Sequence, residues 1–172
     1  MQCADFQESE VDGYSELRHY LISRLLWDPS LDTDRLIDEF VQCHYRSSAP
    51  AIRRFIDLIH EHYRQAGVHV MSNVAAYWTI PVDPEIGRQG VALMKEAAAL
   101  AADEIIKERV DRFSISAYRA AIDPVWNESG SQETRSGKVT SLRHEIEAFL
   151  ILSERYDIGP RAKRDELKHL LD

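Results

Sequence analysis

The chain has 172 residues, which is the size of one domain and is long enough to bury an apolar core without metals or disulfides. Its 44% of hydrophobic and 29% of charged residues are typical of a folded globular chain and argue against a wholly disordered one. The formal net charge of -8 argues against nucleic acid as a partner, because phosphate backbones repel an acidic surface.

The first predicted helix covers residues 14–27. Apolar residues recur there at the i, i+4 spacing of an amphipathic helix, at Leu17, Leu21 and Leu25. The Asp28-Pro29 pair ends this helix, because proline disfavours α geometry in the residue before it. We expect Trp27, at the end of the helix, to lie in the core.

Two further helices are predicted before residue 67. Each follows a pair of residues whose side chains can accept the free amide protons of a first turn: Asp32-Thr33 and Ser47-Ser48. The first of these helices carries His44 on its apolar face, where we expect a hydrogen-bonded core histidine. Gly67 is placed to close the second in the left-handed conformation.

Residues 68–82 interrupt the helical rhythm with β-branched and aromatic residues, and we expect an ordered loop, either without regular structure or with a short helix around residues 72–77. Asp83-Pro84-Glu85 then has the cap, proline and acidic residue of a helix start. The helical run that follows reaches about residue 122, either as two helices broken near Ala102–Asp103 or as one long bent helix. Within it, Gly87 and Gly90 indicate close helix packing rather than a phosphate-binding loop, since they do not follow a strand.

The last part of the chain begins with a polar stretch, residues 127–138, which contains no apolar side chain and is expected to be a mobile loop. Two more amphipathic helices complete the chain. The overall prediction is an all-α fold, with six to seven helices in an irregular bundle over residues 14–172 and no substantial sheet.

Several of these stretches resemble one protein family. The matching segments are residues 17–21, 24–29, 32–34, 37–40, 44–45 and 49–53, with weaker likeness at 109–112 and 149–159. The most specific is Arg24 to Pro29, because the order Leu-Leu-Trp-Asp-Pro is similar to a signature of that family. The family consists of uncharacterised bacterial proteins, with a domain of unknown function, that are related to α-glucuronidases and other glycoside hydrolases. Arg46 departs from the pattern, since glycine is usual at that position.

This resemblance implies a (β/α)₈ barrel followed by a helical C-terminal region, of which this chain corresponds to the helical region alone. Residues 1–13 are then expected to be a remnant of the last barrel strand and loop, or a disordered start. Glu8 would lie at the mouth of the barrel, where substrate is bound in such folds. Two origins stay open: a piece of a larger enzyme, or a short gene that keeps only the helical region.

Candidate chemistry in the chain itself is sparse, and we expect no catalytic residue, no metal site and no cofactor. His60 and His62 point to two sides of a helix, whereas zinc motifs on helices use i, i+4 spacing. Tyr77 and Trp78 lie in the irregular segment and are, with Glu8, the candidates for binding a sugar in a full-length parent. The same aromatic side chains are also suited to covering the core.

The leading interpretation is a non-catalytic helical domain that packs on a glycoside-hydrolase-like barrel. The alternative is a freestanding helical module that binds protein. Expected partners are the barrel or an equivalent protein surface, or a second copy through residues 1–16 and 68–82, unless these segments are disordered. Nucleic acid and membranes are not expected. No secretion signal is visible, but the compartment stays undecided, because a longer parent could be exported.

Overall fold

The computed structural model describes residues 14–66, 82–126, 132–158 and 161–171, and over 132–136 it describes the backbone alone. The all-α prediction is confirmed, since these residues form helices and no strand. The helices are α1 Ser15–Trp27, α2 Thr33–Tyr45, a 3-10 turn Arg46–Ser48, α3 Ala49–Gln65, α4 Pro84–Leu100, α5 Glu104–Ala121, α6 Asp123–Trp126, α7 Gln132–Ser141, α8 Arg143–Arg155 and α9 Arg161–His169. The expectations for residues 1–13, Gly67, 68–81 and 127–131 lie outside the described residues.

Three aspartates begin helices as N-caps. The side chain of Asp32 accepts a hydrogen bond from the backbone N–H of Arg35 at 3.1 Å. Of the two predicted caps of α2, Asp32 and Thr33, the N-cap is therefore Asp32. Asp83 and Asp103 cap α4 and α5 in the same way, at 2.8 Å each. Each cap satisfies an amide that has no partner inside its helix, and this stabilises a helix by about 1 kcal/mol.

The run from residue 84 to 121 is two helices rather than one bent helix. Ala101 is extended and Asp103 caps α5, so the chain reverses and α4 packs along α5. The two helices approach closely at Gly87, where a Cβ atom would lie 2.4 Å from Cα of Ala121. A Cβ on Gly90 would lie 2.6 Å from the ring of Phe55. The prediction that these glycines serve close helix packing is confirmed.

The core lies between α3, α4 and α5, and α8 closes it from the side of α5. Each helix contributes at least one large side chain that is 2% exposed or less: Phe55, Met94, Phe113, Ile146 and, from α9, Leu167. The rings of Phe55 and Phe113 meet edge to face at 5.8 Å. Such a contact adds to the stability that burial provides.

Ser47 and Ser48 do not cap α3, and that prediction is wrong. Neither hydroxyl bonds to an amide of the first turn of α3. Instead, Ser47 donates to the carbonyl of Leu100, and the fully buried Ser48 donates to the carbonyl of Ala97 at 2.7 Å. The last carbonyls of a helix have no partner within it, so these hydroxyls close the C-terminus of α4.

Arg46 adopts a left-handed backbone conformation, with φ of 48° and ψ of -115°, in the turn between α2 and α3. Side chains are strained at such angles, whereas glycine adopts them freely. The departure from the family pattern therefore falls at a position whose geometry suits glycine. The Arg46 guanidinium lies 3.8 Å from Asp103, and both side chains are largely exposed.

The polar stretch predicted as a loop through residue 138 is helical from Gln132 onward. Glutamine, glutamate, arginine and lysine all favour helices, so a segment without apolar residues can still be helical. Val139, later in α7, is 5% exposed and fixes this helix to the core.

Candidate functional site

The three residues predicted to bind a sugar are not among the described ones. Glu8 belongs to residues 1–13, and Tyr77 and Trp78 belong to residues 67–81. Their role stays a prediction, and so does self-association through residues 1–16 and 68–82. The described residues offer an apolar surface, a small polar pocket and two polar networks.

The exposed apolar surface lies at the C-terminal end of α1. The side chain of Trp27 is 92% exposed and that of Leu26 is 62% exposed. Ile22, one turn before Leu26, is half-buried. We call Ile22, Leu26 and Trp27 the outer face of α1. The prediction that Trp27 lies in the core is wrong, because α1 carries apolar side chains on several sides and, among the described helices, packs mainly against α2.

The orientation of α1 is fixed by its inner side. The buried residue of this helix is Leu17, at 5% exposure. The ring of Tyr20 lies 5.4 Å from that of Phe40 on α2. Arg24 donates to the hydroxyl of Tyr20 at 2.8 Å and pairs with Glu39 at 3.0 Å. These contacts turn Leu26 away from α2, whereas Trp27 is exposed at the last position of the helix.

The small polar pocket lies at the other end of α1. It is lined by Ser15, Glu16, Tyr45, Arg109, Arg112, Phe113 and Ile158. Its volume is about 40 Å³, far below the roughly 300–1,000 Å³ of typical small-molecule sites. Glu16 is the one carboxylate among these lining residues, whereas glycoside hydrolysis uses two.

Charged groups set the protonation of Glu16. The His44 imidazole holds the pKa of this carboxyl below its usual value, and Arg112 and Arg109 act in the same direction. Nε2 of His44 lies 2.9 Å from Oε2 of Glu16. His44 is therefore half-buried beside Glu16, and the prediction that it lies in the core is wrong.

The first polar network joins α5, α6 and α9. Asp123, 4% exposed, accepts from Arg119 at 2.7 Å and from the backbone N–H of Val82 at 3.3 Å. The guanidinium of Arg119 lies 4.1 Å from the ring centre of Trp126, and the ammonium of Lys163 lies 5.5 Å from it. Burial lowers the pKa of Arg119. Trp126 is 8% exposed, so it covers the core.

The second polar network engages the basic residues near the C-terminus. Arg164, 6% exposed, donates to the carbonyls of Ser153 and Ile158 and pairs with Asp157 at 2.9 Å. Lys168 pairs with Glu154. Arg164 thus supplies a donor to the C-terminal end of α8, while Lys168 and Glu154 form an ion pair at the surface.

Over residues 14–66, 82–126, 132–158 and 161–171, no group of three or more metal-ligating side chains is placed to hold a metal ion. Within the same ranges, no helix has the length and apolar character needed to cross a membrane.

Comparison with known proteins gives one match. Residues 3–57, about a third of the chain, match a family model described as Domain of unknown function (DUF4838). This segment includes α1, α2, the 3-10 turn and the first half of α3. No curated protein and no solved structure matches the chain. The match supports an uncharacterised domain of unknown function and includes the outer face of α1.

Proposed function

We propose that the chain is a non-catalytic helical domain that packs on another protein domain through the outer face of α1. In the bacterial parent implied by the resemblance, that domain is a glycoside-hydrolase-like (β/α)₈ barrel preceding the chain. The proposal is carried by one observation: Trp27, the largest side chain of α1, is 92% exposed beside an exposed Leu26.

Burial of this tryptophan would make a large contribution to docking. An aromatic side chain buries roughly 150–250 Å², and apolar area contributes roughly 25 cal/mol per Å². The gross gain for Trp27 is therefore on the order of 4–6 kcal/mol before the costs of association are subtracted. Tryptophan is also among the residues that most often dominate an interface.

The polar pocket is consistent with the non-catalytic part of the proposal. Among the described residues, it has about 40 Å³ of space and one lining carboxylate, which does not match an acid–base pair placed about a sugar. Any carbohydrate chemistry would then belong to the parent's barrel, with this domain shaping its surroundings.

The alternative function, a freestanding module that binds protein, is favoured by a different observation. The core closes without another domain, since Phe55 and Phe113 are each 1% exposed. A self-sufficient core permits independent folding. In this alternative the outer face of α1 binds a separate protein.

The test uses the complete reading frame that contains the chain. The domain encoded upstream of Met1 is expressed separately, and its affinity for the chain is measured by calorimetry. We expect binding that Trp27→Ser weakens by about 30-fold or more, the loss typical of an interface hot spot. The matched control is Ile105→Ser, because Ile105 is 64% exposed and lies on α5, outside the outer face of α1.

The control variant should bind within about twofold of the unchanged chain, as substitutions outside an interface hot spot usually do. A Trp27→Ser variant that binds equally well would overturn the proposal. So would a reading frame without an upstream barrel, and that result would favour the freestanding module.

A further inference from the structure

The small polar pocket at the N-terminal end of α1 contains a buried hydroxyl that has no partner in the fold. Tyr45 lines this pocket and is 2% exposed, and its hydroxyl makes no hydrogen bond within the described part of the chain. Such a group is costly in a protein interior unless something else bonds to it. Burial also raises the pKa of Tyr45, so the hydroxyl keeps its proton near neutrality and can donate a hydrogen bond.

Arg109 brings a positive charge to the same pocket. One of its N–H groups donates to the carbonyl of His44 at 2.9 Å, and the side chain is half-buried. Among the residues that the structure describes, no carboxylate lies within ion-pair distance of this guanidinium. A guanidinium has five N–H donors. Arg109 therefore retains donors and a charge that no direct partner neutralises.

The first turn of α1 also directs donors to the pocket. Ser15 and Glu16, the first two residues of this helix, line the pocket, and no side chain caps the helix. The first amides of a helix have no acceptor within it, and the helix dipole gives this end a partial positive charge. An anion is therefore favoured here, where the helix end meets Arg109 and the Tyr45 hydroxyl.

The Glu16 carboxylate opposes an added anion, but it does not neutralise the arginine. Its Oε2 lies 2.9 Å from Nε2 of His44, and in the described ranges neither Arg109 nor Arg112 pairs with it directly. Arg112 pairs instead with Glu108 at 3.2 Å. The two arginines outnumber the single carboxylate among the lining side chains, and the excess positive charge belongs to Arg109.

The size of the pocket limits what can enter it. A water molecule needs roughly 10–15 Å³ of such space, so the volume of about 40 Å³ holds only a small group. A carboxylate has one carbon and two oxygens, which is about this size. Its two oxygens also match the planar fork of an arginine, whereas a halide ion presents a single centre.

We propose that this pocket binds a carboxylate group, which accepts hydrogen bonds from Arg109, from the Tyr45 hydroxyl and from the first amides of α1. The rest of the ligand stays outside, because the pocket has no room for it. The proposal does not rest on the docking described above, since the outer face of α1 lies at the opposite end of that helix.

An NMR titration of the isotope-labelled chain with sodium formate tests the proposal. The experiment is run near neutrality, and sodium chloride is reduced as formate is added, so that the ionic strength stays constant. We expect saturable shifts of the amides of residues 15–17 and of Nε–Hε of Arg109. The expected Kd is about 1 mM or weaker, because so small a ligand gains at most about 1.5 kcal/mol per non-hydrogen atom.

Three variants decide which groups bind formate. Tyr45→Phe breaks no hydrogen bond of the described fold, and it should weaken binding about tenfold, the loss typical of a hydrogen bond to a charged group. Tyr118→Phe, at a buried tyrosine outside the pocket, is the matched control and should leave the Kd unchanged. Glu16→Gln removes the opposing charge and should tighten binding by about threefold, the scale of a partly exposed charge interaction.

Shifts that grow linearly with formate, without saturation, would overturn the proposal. So would a Kd that is the same in Tyr45→Phe as in the unchanged chain. Aspartate blocked at both its amino and carboxyl ends then distinguishes the two sources of a carboxylate. If it binds at least as tightly as formate, the ligand is an acidic side chain of another protein, and if it does not bind, the ligand is a free acid.

Discussion

Replacing Gly87 with alanine should destabilise the fold through the contact between α4 and α5. A Cβ atom at this position would lie 2.4 Å from Cα of Ala121, 2.6 Å from its N and 2.9 Å from the carbonyl carbon of Ala120. All three neighbours are backbone atoms of α5, which no change of side-chain rotamer can move. The two helices must therefore separate, and their contact is the most extensive between any two helices described.

The expected magnitude combines two opposing effects. Alanine favours a helix interior over glycine by about 1 kcal/mol. Overpacking of a close-packed interior usually costs about 1–3 kcal/mol, and a clash with backbone belongs at or above the upper end. We therefore expect Gly87→Ala to lower the free energy of unfolding by about 2 kcal/mol, or roughly 4–8 °C in Tm for a chain of this size.

Urea unfolding followed by circular dichroism measures this effect, and the chain supplies a matched control. At Gly137, in α7, a Cβ atom would meet no described atom within 4 Å. Gly137→Ala should therefore stabilise the fold, by up to about 1 kcal/mol. The same substitution thus has opposite signs at the two sites. A Gly87→Ala variant as stable as the unchanged chain would refute the close approach of α4 and α5.

The stability of the fold should also respond to two further substitutions and to acid. Arg46→Gly should raise the free energy of unfolding by about 1 kcal/mol, because it relieves the left-handed strain and loses only an exposed ion pair; a loss of stability in urea unfolding would contradict the φ of 48°. Arg164→Ala should lower the free energy of unfolding by about 2–3 kcal/mol, since it removes a donor from the carbonyls at and just after the end of α8. Arg161→Ala, at an exposed position of α9, should change the unfolding midpoint little. The pKa values of Glu16 and Glu85 are lowered in the folded chain. Their contribution to the free energy of unfolding is therefore present above the ordinary glutamate pKa and is lost as the pH falls below it. The urea concentration at the unfolding midpoint should decrease as the pH is lowered from about 5 to about 3, and should decrease less in Glu16→Gln.

The helix ends could be predicted because each depends on neighbouring residues. Asp32, Asp83 and Asp103 each cap a helix through an amide no more than three residues away. The packing role of Gly87 and Gly90 could also be predicted, since glycine within a helical pattern indicates a close approach. In contrast, Ser47 and Ser48 bond to carbonyls at the far end of α4, a contact that the pattern of neighbouring residues does not contain.

The side of a helix that faces the core is harder to predict when the helix is apolar all round. Periodicity treats Leu17 and Trp27 alike, but α1 packs mainly against α2 in the described part of the chain and buries Leu17 alone. The pairing of Glu16 with His44 depends on how α1 lies on α2, so it has no signature in the sequence. Apolar spacing does not reveal the Gln132–Ser141 helix, although helix propensity alone favours it.

Hydroxyl-radical footprinting of Trp27 tests the docking face most directly. Oxidation at this residue is measured by mass spectrometry in the chain alone and in the product of the complete reading frame. Trp126, which is 8% exposed, serves as the buried reference in both. We predict rapid oxidation of Trp27 in the chain alone and oxidation about tenfold slower or more in the complete product, as full desolvation of an interface anchor requires. Equal oxidation of Trp27 in the two samples would contradict the proposal that the outer face of α1 packs on another domain.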